Sequence, residues 1–122
     1  MAQREVYDLA REQVERNTEL LTAGRSFRDL SHQAWIPSID DYRHYCCLFH
    51  GVGQCDEYPE IFVPDTWDEL GFDDTLEAGM VLTVESYVGR RDGAGEGVKL
   101  ENQVLVTDTG PELLTRLPLD LD

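Results

Sequence analysis

Two glutamates stand where strand sequence should be apolar. Glu85 interrupts "MVLTVESYV" and Glu101 interrupts "VKLENQVLVT". Both runs otherwise read as strands, and the glycine-rich "GRRDGAGEG" between them reads as a hairpin turn. In an evenly paired hairpin, residues whose numbers share a constant sum lie opposite one another. With Gly93 at the centre of the turn, 85 and 101 are partners, each eight residues away. Like charges directly opposite destabilise a sheet. On a buried face both cannot stay ionised without a cation or a shared proton. A bridging divalent metal removes the conflict; so does an exposed face, or a bulge that offsets the pair.

His50 brings a third donor. It closes the aromatic-rich, strand-like run "DYRHYCCLFH" and opens "HGVGQCDEYP", where Gly51 and Gly53 let the backbone turn tightly or approach another group. One imidazole and two facing carboxylates form an N/O ligand set suited to iron, manganese, cobalt or zinc. Three ligands leave such a site open. The alternative is an ordinary, satisfied polar histidine. His32 and His44 have no comparable company and are expected to be structural or exposed.

The composition narrows the partners. Twenty-five acidic against 10 basic residues leave a formal charge of −15, which argues against nucleic acid or an anionic membrane. Lys99 is the single lysine; the other basic residues are arginines. No apolar run approaches the ~20 residues of a membrane helix, and "MAQREVYDLAREQ" lacks the order of a signal peptide. Cys46, Cys47 and Cys55 are odd in number with no CxxC pair. That favours free thiols in a reducing compartment over a disulfide framework or zinc knuckle. The expected address is the cytoplasm.

The 122 residues make one domain's worth of chain. Val6, Leu9, Ala10, Val14, Leu20 and Leu21 fall largely on one face at helical spacing, predicting a helix over residues 3–22 stopped by Gly24. Ser26 starts a second, shorter helix, with Asp29 three residues on in an imperfect capping box, and Pro37 ends it. Residues 57–79, with Pro59, Pro64, Gly71 and several acids, read as an irregular excursion. The tail, "GPELLTRLPLDLD", reads as a turn and a short closing segment. Helix, helix, strand, long loop, hairpin: the order predicts an α+β fold, two helices packed on an antiparallel sheet.

"HGVG", "LEAGMVLTVES" and "GVKLENQVLVTDTGPELLT" resemble, in order and spacing, the C-terminal half of the pita-bread metalloenzymes, the superfamily of methionine aminopeptidase, aminopeptidase P, prolidase and creatinase. The resemblance runs from about Ala2 to the end, and implies a curved antiparallel sheet beneath the helices. It also implies a centre of one or two metal ions held by two aspartates, a histidine and two glutamates, with His50, Glu85 and Glu101 as the last three. Peptidases of the superfamily follow HGxG with a second histidine in an "HExP" setting. Here the stretch is "DEYP", and Asp56 takes that place. A carboxylate accepts a proton at neutral pH but cannot donate one.

"HGVGQCDEYP", preceded by Tyr45, resembles most the dimethylsulfoniopropionate lyases built on this fold. That resemblance makes Asp56 the catalytic base, with Tyr45 assisting or orienting. A turn-capping Asp56 and a core-packing Tyr45 are the alternatives. The superfamily's two aspartates lie upstream of the helix that begins near Gln3, so the resemblance implies a partial domain whose parent is an enzyme acting on a small molecule as a homodimer. The isolated chain is expected to be inactive. The expected function is that of a fragment of a metal-dependent lyase. The alternatives are a Xaa-Pro-type metallopeptidase of the same fold and a non-catalytic remnant that binds a partner chain.

Overall fold

The computed structural model describes residues 2–54, 57–93 and 95–120. Helix α1 spans Ala2–Thr18 and buries Val6, Ala10 and Val14, four residues apart, along one stripe. It stops short of the predicted end because Asn17 turns its amide onto the following chain. Asn17 Nδ2 donates to Trp35 O at 3.1 Å, and Trp35 N donates to Asn17 Oδ1 at 2.7 Å. Leu21, the last residue of the apparent helical stripe, is fully buried from the turn that follows. Helix α2, Phe27–Gln33, is capped by Ser26, whose Oγ accepts from Asp29 N at 3.0 Å. It ends three residues before Pro37 can intervene.

Six strands form one antiparallel sheet: β1 Tyr42–Arg43, β2 Cys47–Gly51, β3 Glu60–Phe62, β4 Val81–Arg90, β5 Gly97–Thr107 and β6 Gly110–Leu113. Their order is β3-β2-β4-β5-β6, with β1 pairing farther along β4. The architecture is α+β, as the sequence predicts. The β4–β5 hairpin runs in one unbroken register from Val81↔Leu105 to Gly89↔Gly97, and Glu85 faces Glu101. Alternation then divides the chemistry between two faces. Leu82, Val84, Val88, Val104 and Val106 turn to the core with the α1 stripe, Phe27 and Leu30. Thr83, Glu85, Lys99 and Glu101 turn to the other side.

Three stretches depart from the sequence reading. The segment 57–79 is not irregular throughout: it holds β3, a 3₁₀ turn at Pro64–Thr66 and a short helix, α3, at Trp67–Leu70. Ile61 and Trp67 anchor it in the core. The tail carries a sixth strand, closed by Thr107 Oγ1 donating to Gly110 O at 2.6 Å. "DYRHYCCLFH" is two strands rather than one. The β1–β4 partners sum to 132 (Tyr42↔Arg90), whereas the β2–β4 partners sum to 133 (Phe49↔Val84). That one-residue offset is a bulge between Arg43 and Phe49, a device that re-aims side chains beside sites.

Candidate metal centre

His50 pairs with Thr83 across β2 and β4, one diagonal step from Glu85 on the same face. Its Nε2 lies 3.6 Å from Glu85 Oε1. One donor atom from each of His50, Glu85 and Glu101 lies within 4.8 Å of the others. Metal–nitrogen and metal–oxygen bonds of ~2.1 Å put opposed donors ~4.2 Å apart, so only small side-chain adjustments separate this group from a coordination shell. His50 Nδ1 lies 2.9 Å from Gly51 O. A carbonyl only accepts, so Nδ1 carries a proton, and in the neutral imidazole that leaves the Nε2 lone pair toward the carboxylates. The donor set therefore fits a divalent ion, with its imidazole tautomer already selected.

The two glutamates differ in setting. The Glu85 side chain is 5% exposed and that of Glu101 is 42% exposed. Burial pushes the Glu85 carboxyl up, and the hydrogen bond with Glu101 adds to it against the opposing pull of Lys99. At Glu101, partial burial acts upward, but the hydrogen bonds from Glu85 and Lys99 outweigh it and hold that carboxyl below its usual range. Of the two, Glu85 is the one whose setting favours the neutral form as pH falls, while the Lys99 ammonium beside it favours its ionised form. Lys99 Nζ stands 3.0 Å from Glu85 Oε1 and 3.1 Å from Glu101 Oε1. Burial pulls its pKa down, yet the two carboxylates prevail and raise it. The sequence reading did not place Lys99 here. Its position two residues before Glu101 puts it on the same face of β5, a signal that was available.

Tyr45 sits between β1 and β2 with the centre of its ring 4.2 Å from Lys99 Nζ, so it borders the group instead of packing in the core; the residue is 41% exposed. The Lys99 charge pulls its phenol down, but Glu85, Cys46 and burial together leave it raised. The phenol keeps its proton at neutral pH. Asp56, the expected catalytic base, lies outside the described residues, as does Cys55. His32 packs edge-on against Trp67, and neither it nor His44 belongs to the donor group.

The described cysteines differ sharply. Cys46 is exposed and Cys47 is buried. Burial, with Glu85 adding to it, pushes the Cys47 thiol up to about 12, and its Sγ donates to Phe49 O at 3.1 Å. Thiolate is the reactive form. Iodoacetamide at pH 8 is therefore expected to modify Cys46 and spare Cys47, as read by peptide mass spectrometry. Comparable modification of both would mean that β2 opens readily from the sheet.

Among the described residues, no helix is long and apolar enough to cross a membrane. The chain is 42% identical over 112 residues to the dimethylsulfoniopropionate lyase DddP of Roseovarius nubinhibens, an alignment covering 91% of this chain and 25% of that protein. It is 38% identical over 110 residues to the enzyme of the same name from Roseobacter denitrificans, covering 89% of this chain and 24% of that protein. The chain thus spans about a quarter of the length of these relatives. Among solved structures, the prolidase of Pyrococcus furiosus superposes with a TM-score of 0.71 at 29% identity, over 94% of this chain and 33% of that one. These likenesses share the pita-bread fold. Residues 1–108 match metallopeptidase family M24, and the chain belongs to that family.

Proposed function

We propose that this chain carries part of the active site of a metal-dependent dimethylsulfoniopropionate lyase. The observation that supports it most is the pairing of 42% identity to such a lyase with Asp56 at the position where peptidases of the superfamily carry a histidine. His50, Glu85 and Glu101 would hold one or two ions of iron, manganese, cobalt or zinc. The two aspartates that complete the centre would come from sequence outside these 122 residues, which form a partial domain. A metal held there supplies Lewis acidity to the substrate carboxylate and the charge that develops beside it.

The residues of this chain divide the remaining work. The Asp56 carboxylate takes the proton α to the substrate carboxylate. The C–H electron pair becomes the new carbon–carbon double bond, and dimethyl sulfide departs with the electrons of the breaking C–S bond, leaving acrylate. The protonated Tyr45 phenol, at the edge of the group, orients the substrate by donating a hydrogen bond.

A second reading, a Xaa-Pro-type metallopeptidase, is supported by the family match and the likeness to prolidase. One assay separates the readings. The protein at its full encoded length, loaded with manganese or iron, is offered dimethylsulfoniopropionate and a Xaa-Pro dipeptide. Acrylate without proline release is the expected result. Proline release alone would overturn the lyase and favour the peptidase. Neither product would leave a non-catalytic binding protein.

A further inference from the structure

The lysine between the two glutamates belongs to no expected ligand set. Lys99 Nζ makes two short ion pairs, 3.0 Å to Glu85 and 3.1 Å to Glu101, so it engages both carboxylates of the candidate centre at once. Its side chain is 40% exposed, and the centre of the Tyr45 ring lies 4.2 Å away. We propose that Lys99 is a built-in counter-ion: it holds the Glu85–Glu101 pair together while the centre is empty, and yields those oxygens when a divalent ion enters. This rests on reading His50, Glu85 and Glu101 as the metal-binding group.

The register creates the conflict. Two carboxylates face each other across β4 and β5, one of them almost wholly buried. Left alone, they repel and splay. An ammonium hydrogen-bonded to both cancels that repulsion and keeps the pair converged. A dication bonded to the same carboxylates would stand close to the ammonium, and the two positive charges repel. Both cannot keep the best positions, so Lys99 competes with the metal.

The residue type suits this exchange. A lysine is a compact charge on a flexible four-carbon stem, here with solvent on one side. The face of Tyr45 offers a second seat for the ammonium through cation–π attraction. Lys99 can therefore leave the carboxylates while remaining beside the site. It acts through the two glutamates, so it is a positioning residue.

Removing the charge should have two opposite effects, a pattern that lost packing alone would not produce. Lys99→Met keeps most of the stem and deletes the ammonium; Lys99→Gln does so with a polar end, and serves if the first variant folds poorly. Mn²⁺ is titrated into the chelator-treated protein at its full encoded length, with free Mn²⁺ followed by electron paramagnetic resonance and thermal unfolding recorded with and without the ion. Both neutral variants, relieved of the ammonium's repulsion, should bind Mn²⁺ about tenfold more tightly than wild type. Both should unfold at lower temperature without metal, and the difference should close at saturating Mn²⁺. Lys99→Arg should stay close to wild type in metal-free stability. Wild-type binding that is abolished by His50→Ala but unchanged or weakened in the neutral variants would overturn the inference and leave the metal centre standing. No wild-type binding, or binding indifferent to His50→Ala, would overturn the centre itself and the inference with it.

Discussion

Asp56→Asn is expected to lower the elimination rate about 10²–10⁴-fold, the usual loss when a general base is removed, with no change in bound metal. Asparagine keeps the shape of the side chain and removes its proton acceptor. The assignment of Asp56 rests on its place in "HGVGQCDEYP", so the measurement carries full weight. Glu85→Ala is the necessary contrast. Glu85 is nearly buried, ion-paired to Lys99 at 3.0 Å and within reach of His50, so its loss should lower metal content and rate together. Metal per chain and acrylate production, measured on the same preparations of the full encoded protein, separate the two outcomes. A variant at position 56 that loses metal as well as rate would assign Asp56 to the centre's architecture instead of to proton transfer. Full activity in that variant would remove the base from this chain altogether.

Gly51→Ala should be the most damaging single methyl group in the site. A Cβ at this position would stand 1.8 Å from Tyr58 O, 2.5 Å from Tyr58 C and 2.8 Å from Pro59 Cδ. Two of these atoms are backbone, so no rotamer change relieves the contact. The same residue donates its N–H toward both Glu57 O and Pro59 O, at 3.1 and 2.7 Å, and its carbonyl accepts from His50 Nδ1. Overpacking commonly costs ~1–3 kcal/mol and sometimes more; with backbone as the obstacle, about 3 kcal/mol is expected. Urea unfolding should show a lowered midpoint with an unchanged slope. Mn²⁺ binding should weaken in parallel, because the carbonyl that sets the imidazole tautomer moves with the strand. A loss below about 0.5 kcal/mol, the range of ordinary surface substitutions, would show that the loop after Gly51 yields easily.

What was legible in the sequence was mostly local. The Glu85–Glu101 pairing follows from two strands, one turn and the period of two, a problem confined to 17 residues whose only free variable is the turn's centre. The Ser26 cap is equally local, since Ser26 and Asp29 are three residues apart. Asp56 stood out only through family resemblance; composition and periodicity say nothing of a proton acceptor in a loop. The short strands β3 and β6 escaped because three or four residues carry too little periodicity to be distinguished from loop.

Other features could be decided only by the packed chain. His50 meets Glu85 because β2 docks on β4 across 29 residues of intervening sequence, 52–80, and no local pattern specifies which strand β2 chooses. Leu21 looked like the end of a helical stripe, but a part-buried Asn17–Trp35 pair outweighed helical spacing and ended α1 early. Tyr45 reaches Lys99 through a one-residue offset between β1 and β2, which exists only once both strands have paired with β4. Sequence by itself determined which residues share a strand face, because alternation is a property of the chain. Tertiary structure decided which faces meet, because that depends on the burial of Leu82, Val84, Val104 and Val106 beneath α1, and burial belongs to the whole fold.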